Sequence, residues 1–199
     1  MSRPLLATAC VLLFAARAGG QVLSTAETLG KGKSAVLASD NVIVPGADIS
    51  NLNIAYGQFA RGLNDRFDLY LSAGATTTDG STQAWIGGGG NVRLARVRKI
   101  SVSLFSVATV PLTRRDQACQ VLLNPALIVS APLGSKLSVY SGVNSLVPIG
   151  DRARGIFTPP STKVMAPIGA TYAIGPWGLW AEADFGTLRA FGAAVTRMF

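Results

Sequence analysis

The chain has 199 residues, of which 49% are hydrophobic and only 14% charged, and it contains no histidine. That absence removes the Ser-His and His-Asp hydrolytic constellations, and with two cysteines it leaves no ordinary zinc ligand set, so neither an enzyme nor a metal or cofactor is expected. Formal net charge is +8, but the basic residues are scattered over turns and loops rather than gathered into one face, so no nucleic-acid partner is expected either.

Residues 1–20 read as a secretory signal peptide. Arg3 gives a positive start, an apolar run covers residues 5–16, and Ala16-Arg17-Ala18 supplies an A-x-A cleavage site, with Gly20-Gln21 as an alternative. Removing this segment takes away Arg3, Arg17 and Cys10, leaving Cys119 without an intrachain partner. After residue 20 no apolar run approaches the roughly 20 residues of a membrane helix. An exported, apolar chain of this kind can face its hydrophobic side chains to lipid one at a time from the strands of a closed barrel. A secreted β-sandwich with a large core is the alternative.

Residues 21–33 form a polar lead-in, expected in the periplasm and partly disordered, ending in the turn Thr28-Leu29-Gly30-Lys31-Gly32-Lys33. The barrel is expected over residues 34–199. Strand one, 34–42, is broken by Pro45-Gly46. Strand two, 50–60, sets Leu52, Ile54 and Tyr56 against Asn51, Asn53, Ala55 and Gly57. Strand three, 66–76, sets Phe67, Leu69 and Leu71 against Arg66, Asp68 and Tyr70. Strand four, 82–97, contains Gly87-Gly88-Gly89-Gly90. No helix and no Lys-Ser/Thr follows this run, so it reads as a bend or a close backbone approach rather than a phosphate cradle.

Strands five, 100–112, six, 121–132, seven, 137–147, and eight, 163–174, follow. On strand seven, Leu137, Val139 and Val143 oppose Ser138, Tyr140, Gly142 and Asn144. The last two strands form a hairpin from residue 177. Connections two, four, six and eight are short. Connections one, three, five and seven are longer, and the ninth is tight. That asymmetry is expected of transmembrane barrels, with turns on the periplasmic side and loops outside. Ten strands is the count, with eight or twelve as alternatives because strands one and six are poorly bounded.

In the closing hairpin Trp177, Leu179, Ala181, Ala183 and Phe185 alternate with Gly178, Trp180, Glu182, Asp184 and Gly186. If the first set faces lipid, Glu182 and Asp184 share the lumen, where Asp68, Arg66 and Arg93 are candidates to join them. Buried charges in a narrow barrel are expected to pair. An internal network of these carboxylates with arginines is one expectation, and a charged lining of a solute path is the other. The cluster Arg93, Arg96, Arg98 and Lys99 suits a membrane surface near anionic head groups, or a wet turn.

The hairpin resembles the closing strands of bacterial outer-membrane β-barrels, in which a terminal aromatic residue preceded by alternating apolar ones belongs to the signal read by the barrel assembly machinery. Phe199, Val195, Ala193 and Phe191 match that pattern, and Arg197 departs from it. The entry at residues 28–33 is similar to that of small transporter-type barrels grouped with the meta-pathway phenol-degradation proteins. These resemblances imply an outer-membrane location, contact with outer-membrane lipid, and a narrow channel or transporter-like role for a small hydrophobic or polar solute. A barrel with a filled lumen that binds partners through its outer loops, at Asp151, Arg152 and Arg154, is the second reading.

Overall fold

A computed structural model describes residues 26–44, 51–78, 81–112, 121–150 and 161–199. The signal-peptide region, Cys119 and the loop candidates Asp151, Arg152 and Arg154 lie outside these residues. Ten strands follow one another: β1 (Ser34–Val44), β2 (Leu52–Asn64), β3 (Phe67–Thr78), β4 (Ser81–Val97), β5 (Ile100–Pro111), β6 (Val121–Pro132), β7 (Leu137–Ile149), β8 (Lys163–Ile174), β9 (Trp177–Gly186) and β10 (Arg189–Met198). Each strand lies antiparallel to the next, and β10 returns to β1, so the sheet closes into a barrel with no free edge.

Period-two alternation decides which side chains enter. On β9, Glu182 and Asp184 are buried while Leu179, Ala181 and Phe185 are exposed. On β5, Ser101, Ser103, Phe105 and Val107 point in and Leu104 points out. The outer wall carries Leu71, Ile86, Leu104, Leu127, Val143, Ile168, Phe185 and Phe191, all substantially exposed. A water-soluble monomer does not present an apolar surface encircling it in this way. Lipid removes that cost, and closing the sheet leaves no strand edge exposed to it. Asp40 stands apart as a carboxylate on the outer face of β1, in register with Ala193 of β10.

The strand order agrees with the sequence reading, and β6 and β8 agree to the residue. One connection does not. Pairing of β3 with β4 continues to Thr78 and Ser81, so the strands extend into the segment expected as the longer third loop, because the threonine-rich ends continue the ladder. The glycine run lies within β4, where a side chain on Gly89 would collide with the Ser106 carbonyl of β5. It serves close strand approach, as the absence of a following helix predicts.

One seam is unlike the others. Among the described residues β1 and β2 share the single bridge Ser34↔Arg61, at the end of the barrel that also holds the short turns. The remaining seams carry eight or more paired positions each.

Candidate functional site

The lumen is built in rows, each row being the residues that pair across successive strands. One row runs Tyr140 on β7, Gly169 on β8, Glu182 on β9 and Gly192 on β10. Glycine at 169 leaves the room that the Tyr140 ring occupies, and a Cβ there would collide with the ring. Tyr140 therefore crosses β8 and its hydroxyl donates a 2.6 Å hydrogen bond to Oε2 of Glu182. One step along β9, Asp184 accepts a 3.0 Å bond from Nδ2 of Asn144. Both carboxylates are buried.

Their partners are thus a phenol and an amide, not arginines. The ion pairs among the described residues join Glu27 to Arg93 at 3.5 Å and to Arg96 at 3.9 Å, away from the carboxylate pair. Neither basic side chain reaches the Glu182 row, because both leave β4 near its turn. Tyr140 and Asn144 were legible as the polar face of strand seven. What the linear chain did not offer was their register with strand nine.

The barrel mouth on the turn side holds the described part of the lead-in. This segment is ordered against the wall rather than loose beside it. Ala26 is fully buried among Ala35, Ala60, Tyr70, Phe105 and Tyr140. Glu27 accepts a 2.7 Å bond from the Ser101 hydroxyl. The Asp68 carboxylate accepts the Leu29 amide at 3.0 and 3.2 Å, and the Thr28 hydroxyl donates to the Asp65 carbonyl at 2.8 Å. Arg93 adds a 2.6 Å bond from its guanidinium to the same Asp65 carbonyl.

Of the five charged candidates, then, Glu182 and Asp184 sit together inside the wall and Asp68 and Arg93 hold the lead-in. Arg66 is corrected outward. It lies exposed in the β2–β3 turn, where its amide donates to Asn64 Oδ1, because the strand it was assigned to begins one residue later at Phe67.

Between mouth and carboxylates lies a cavity of about 220 Å³ bordered by Glu27, Leu29, Gln58, Asp68, Tyr70 and Trp180. That is room for several waters or a small solute. Trp180 donates through its indole N–H to the Thr196 hydroxyl, which fixes the ring between this cavity and Tyr140. Toward the loop end, Ile43, Ile54, Trp85, Leu122, Leu146 and Met165 form a buried apolar layer inside the barrel.

No protein-family model matches the sequence, and no curated protein is significantly similar to it. Solved structures do match. An outer-membrane channel from Pseudomonas putida F1 superposes with a TM-score of 0.55 at 11% identity, over 90% of this chain and 100% of that one. A designed transmembrane β-barrel gives 0.43 at 14% identity over 87% and 99%. The translocator domain of the autotransporter NalP from Neisseria meningitidis gives 0.42 at 11% identity over 85% and 88%. At such identities the likeness concerns the fold. The protein is a closed, ten-stranded antiparallel transmembrane β-barrel.

Proposed function

We propose that this chain is an outer-membrane barrel that passes small solutes through a narrow lumen, with a preference for cations set by Glu182 and Asp184, and that it has no catalytic role. The observation that carries the reading is the carboxylate pair itself. Two buried acidic side chains face the lumen of a transmembrane fold and have a tyrosine and an asparagine, but no basic residue, as partners. Uncompensated acidic groups on the inside of a pore favour cations, as rings of carboxylates do in cation channels. The outer apolar belt and the short-turn, long-loop arrangement support an outer-membrane location, reached through the signal peptide and the barrel assembly machinery. The Pseudomonas neighbour, described as an outer-membrane channel, supports it by analogy of fold.

In the described conformation the lead-in packs into the mouth and an apolar layer lies inside the barrel toward the loops, and these are the two constrictions the proposed path would have to pass. The mouth is the constriction this reading takes as the gate. Glu27 holds it through Ser101, Arg93 and Arg96, in contacts that one substitution removes.

Conductance of the refolded mature chain in a planar bilayer tests the reading. Glu27→Ala should open more often than wild type, and the current should prefer potassium over chloride. Glu182→Gln with Asp184→Asn should lower that preference. A preference unmoved by the double change would remove these residues from any selectivity role. Inserted protein that stays silent in wild type and in Glu27→Ala would favour the second reading, a barrel with a filled lumen acting through its loops, for which the apolar layer of Ile54, Trp85 and Leu122 speaks.

A further inference from the structure

We propose that the outer wall at the turn end carries a binding site for the phosphate of an anionic phospholipid headgroup, formed by Arg61 and Arg197 on either side of β1. The inference rests on the membrane placement proposed above and on a residue that the closing-hairpin pattern leaves unexplained.

Arg197 occupies an outward position of β10, in line with Phe191, Ala193 and Val195. An arginine facing lipid is costly at the bilayer centre and tolerated near the interface, where its head can reach the phosphate layer. Its row runs from Val36 on β1 through Arg197 to Trp177 on β9. The guanidinium carbon stands 5.3 Å from the Trp177 ring centroid and 5.0 Å from that of Phe199. Two aromatic rings hold the cation at the level of the interface, where barrels place their aromatic girdle.

Arg61 is the second half of the site. It is exposed on the outward face of β2, opposite Ser34 of β1, and its guanidinium donates a 2.7 Å bond to the Ser34 hydroxyl. Ser34 in turn exchanges backbone bonds with Phe199, at 2.8 and 3.3 Å. Arg61, Ser34, Phe199 and Arg197 therefore form one connected patch across three strands. From strand spacing and rise, the two arginine backbones lie about 12 Å apart. Two long side chains can converge on one headgroup over that span.

Neither guanidinium has an acidic partner among the described residues. Both retain free donors in the planar geometry that suits phosphate oxygens. Beside and above them, Val36, Phe59, Leu179 and Val195 continue the outer wall as apolar surface, as acyl chains against such a headgroup require. The turn end itself is strongly basic. Lys31, Lys33, Arg66, Arg98 and Lys99 lie in or beside its turns, and only Asp65 among the exposed turn residues opposes them. That field draws anionic lipid toward this rim.

Native mass spectrometry of the refolded chain in detergent tests the site, with dioleoyl phosphatidylglycerol as the anionic probe and dioleoyl phosphatidylethanolamine as the zwitterionic one. Wild type should retain phosphatidylglycerol in preference. Arg61→Gln and Arg197→Gln should each weaken that adduct about fivefold. Lys163→Gln, at the start of β8 and so at the opposite, loop end of the barrel, should leave it unchanged. Equal retention of the two lipids, or a double arginine variant that binds like wild type, would overturn the proposal. Displacement of the lipid by millimolar inorganic phosphate would make this a free-anion site and overturn it as well. Heat-modifiable mobility of each variant keeps folding separate from binding. A wild-type chain that inserts into no bilayer would fail the membrane reading itself and take the site with it.

Discussion

Tyr140 reaches Glu182 by lying across Gly169, the residue that separates them in their row. The bond links three strands through one side chain, and it exists because the middle strand offers no Cβ at that point. A hydrogen bond from a neutral donor to a buried carboxylate contributes about 1.5–3 kcal/mol, and an orphaned carboxylate costs as much. Tyr140→Phe should therefore lower the stability of the refolded barrel by about 2 kcal/mol, read as the urea midpoint in micelles at constant slope. Gly169→Ala should cost at least as much, since it displaces the ring and breaks the same bond. A Gly169→Ala barrel as stable as wild type would show that the ring does not sit there.

The same device appears on the other side of the lumen. Trp85 of β4 folds over Gly74 of β3 toward Tyr56 of β2, with ring centroids 5.6 Å apart. Trp85 is 4% exposed and Trp177, on the outer wall, 44%. Single-tryptophan variants should separate them. Lipids brominated on their acyl chains should quench Trp177 strongly and leave Trp85 nearly untouched. Strong quenching of Trp85 would place it on the lipid face and invert the facing assigned to β4.

These two rows mark how far the linear chain could be read. Alternation gave the strands and sorted their side chains into two faces, but not always which face meets lipid: on β2 Ile54 and Tyr56 turn into the lumen while Ala55 and Gly57 face outward. It placed Glu182 and Asp184 side by side and put Tyr140 and Asn144 on one face of strand seven. It did not join the two pairs, since register between strands eight and nine is a property of the closed barrel. The expected arginine network failed for a related reason. Arg93 shares a face with inward residues of β4, but its height along the barrel places it beside the lead-in, where Glu27 is the nearer carboxylate. The lead-in itself gave no periodic signal, and what orders it is a set of tertiary contacts to Asp68, Ser101 and Asp65.

The β1–β2 seam should be the softest part of the ladder. The two strands run side by side, but their only bridge among the described residues is Ser34↔Arg61, with Gly62 tied by backbone bonds to Gly32 and Lys33 beside it, so amides farther along the seam are expected to be less protected than on the other seams. In hydrogen exchange on the refolded protein, amides of β1 and β2 that face each other should exchange faster than those of β3 and β4 at the same height. Arg61→Ala removes the side-chain tie to Ser34 and should accelerate exchange on that seam first. Uniform protection around the barrel would show the seam to be as tightly paired as the rest.

Phe199 carries two separable roles. Its backbone amide donates to the Ser34 carbonyl at 2.8 Å and its carbonyl accepts from the Ser34 amide at 3.3 Å, which closes β10 onto β1 at the turn end. Its ring packs against the Arg197 guanidinium and is the side chain that we propose the barrel assembly machinery reads. Phe199→Ala keeps the backbone bonds and removes only the ring, whereas deletion removes both. If assembly depends on recognition of the aromatic side chain, both variants should be exported normally yet reach the membrane poorly in cells. Spontaneous refolding of Phe199→Ala into vesicles should stay close to wild type, since no machinery reads the ring there. Should Phe199→Ala assemble normally in cells while the deletion fails, closure of the barrel rather than recognition of its last residue is what the position provides.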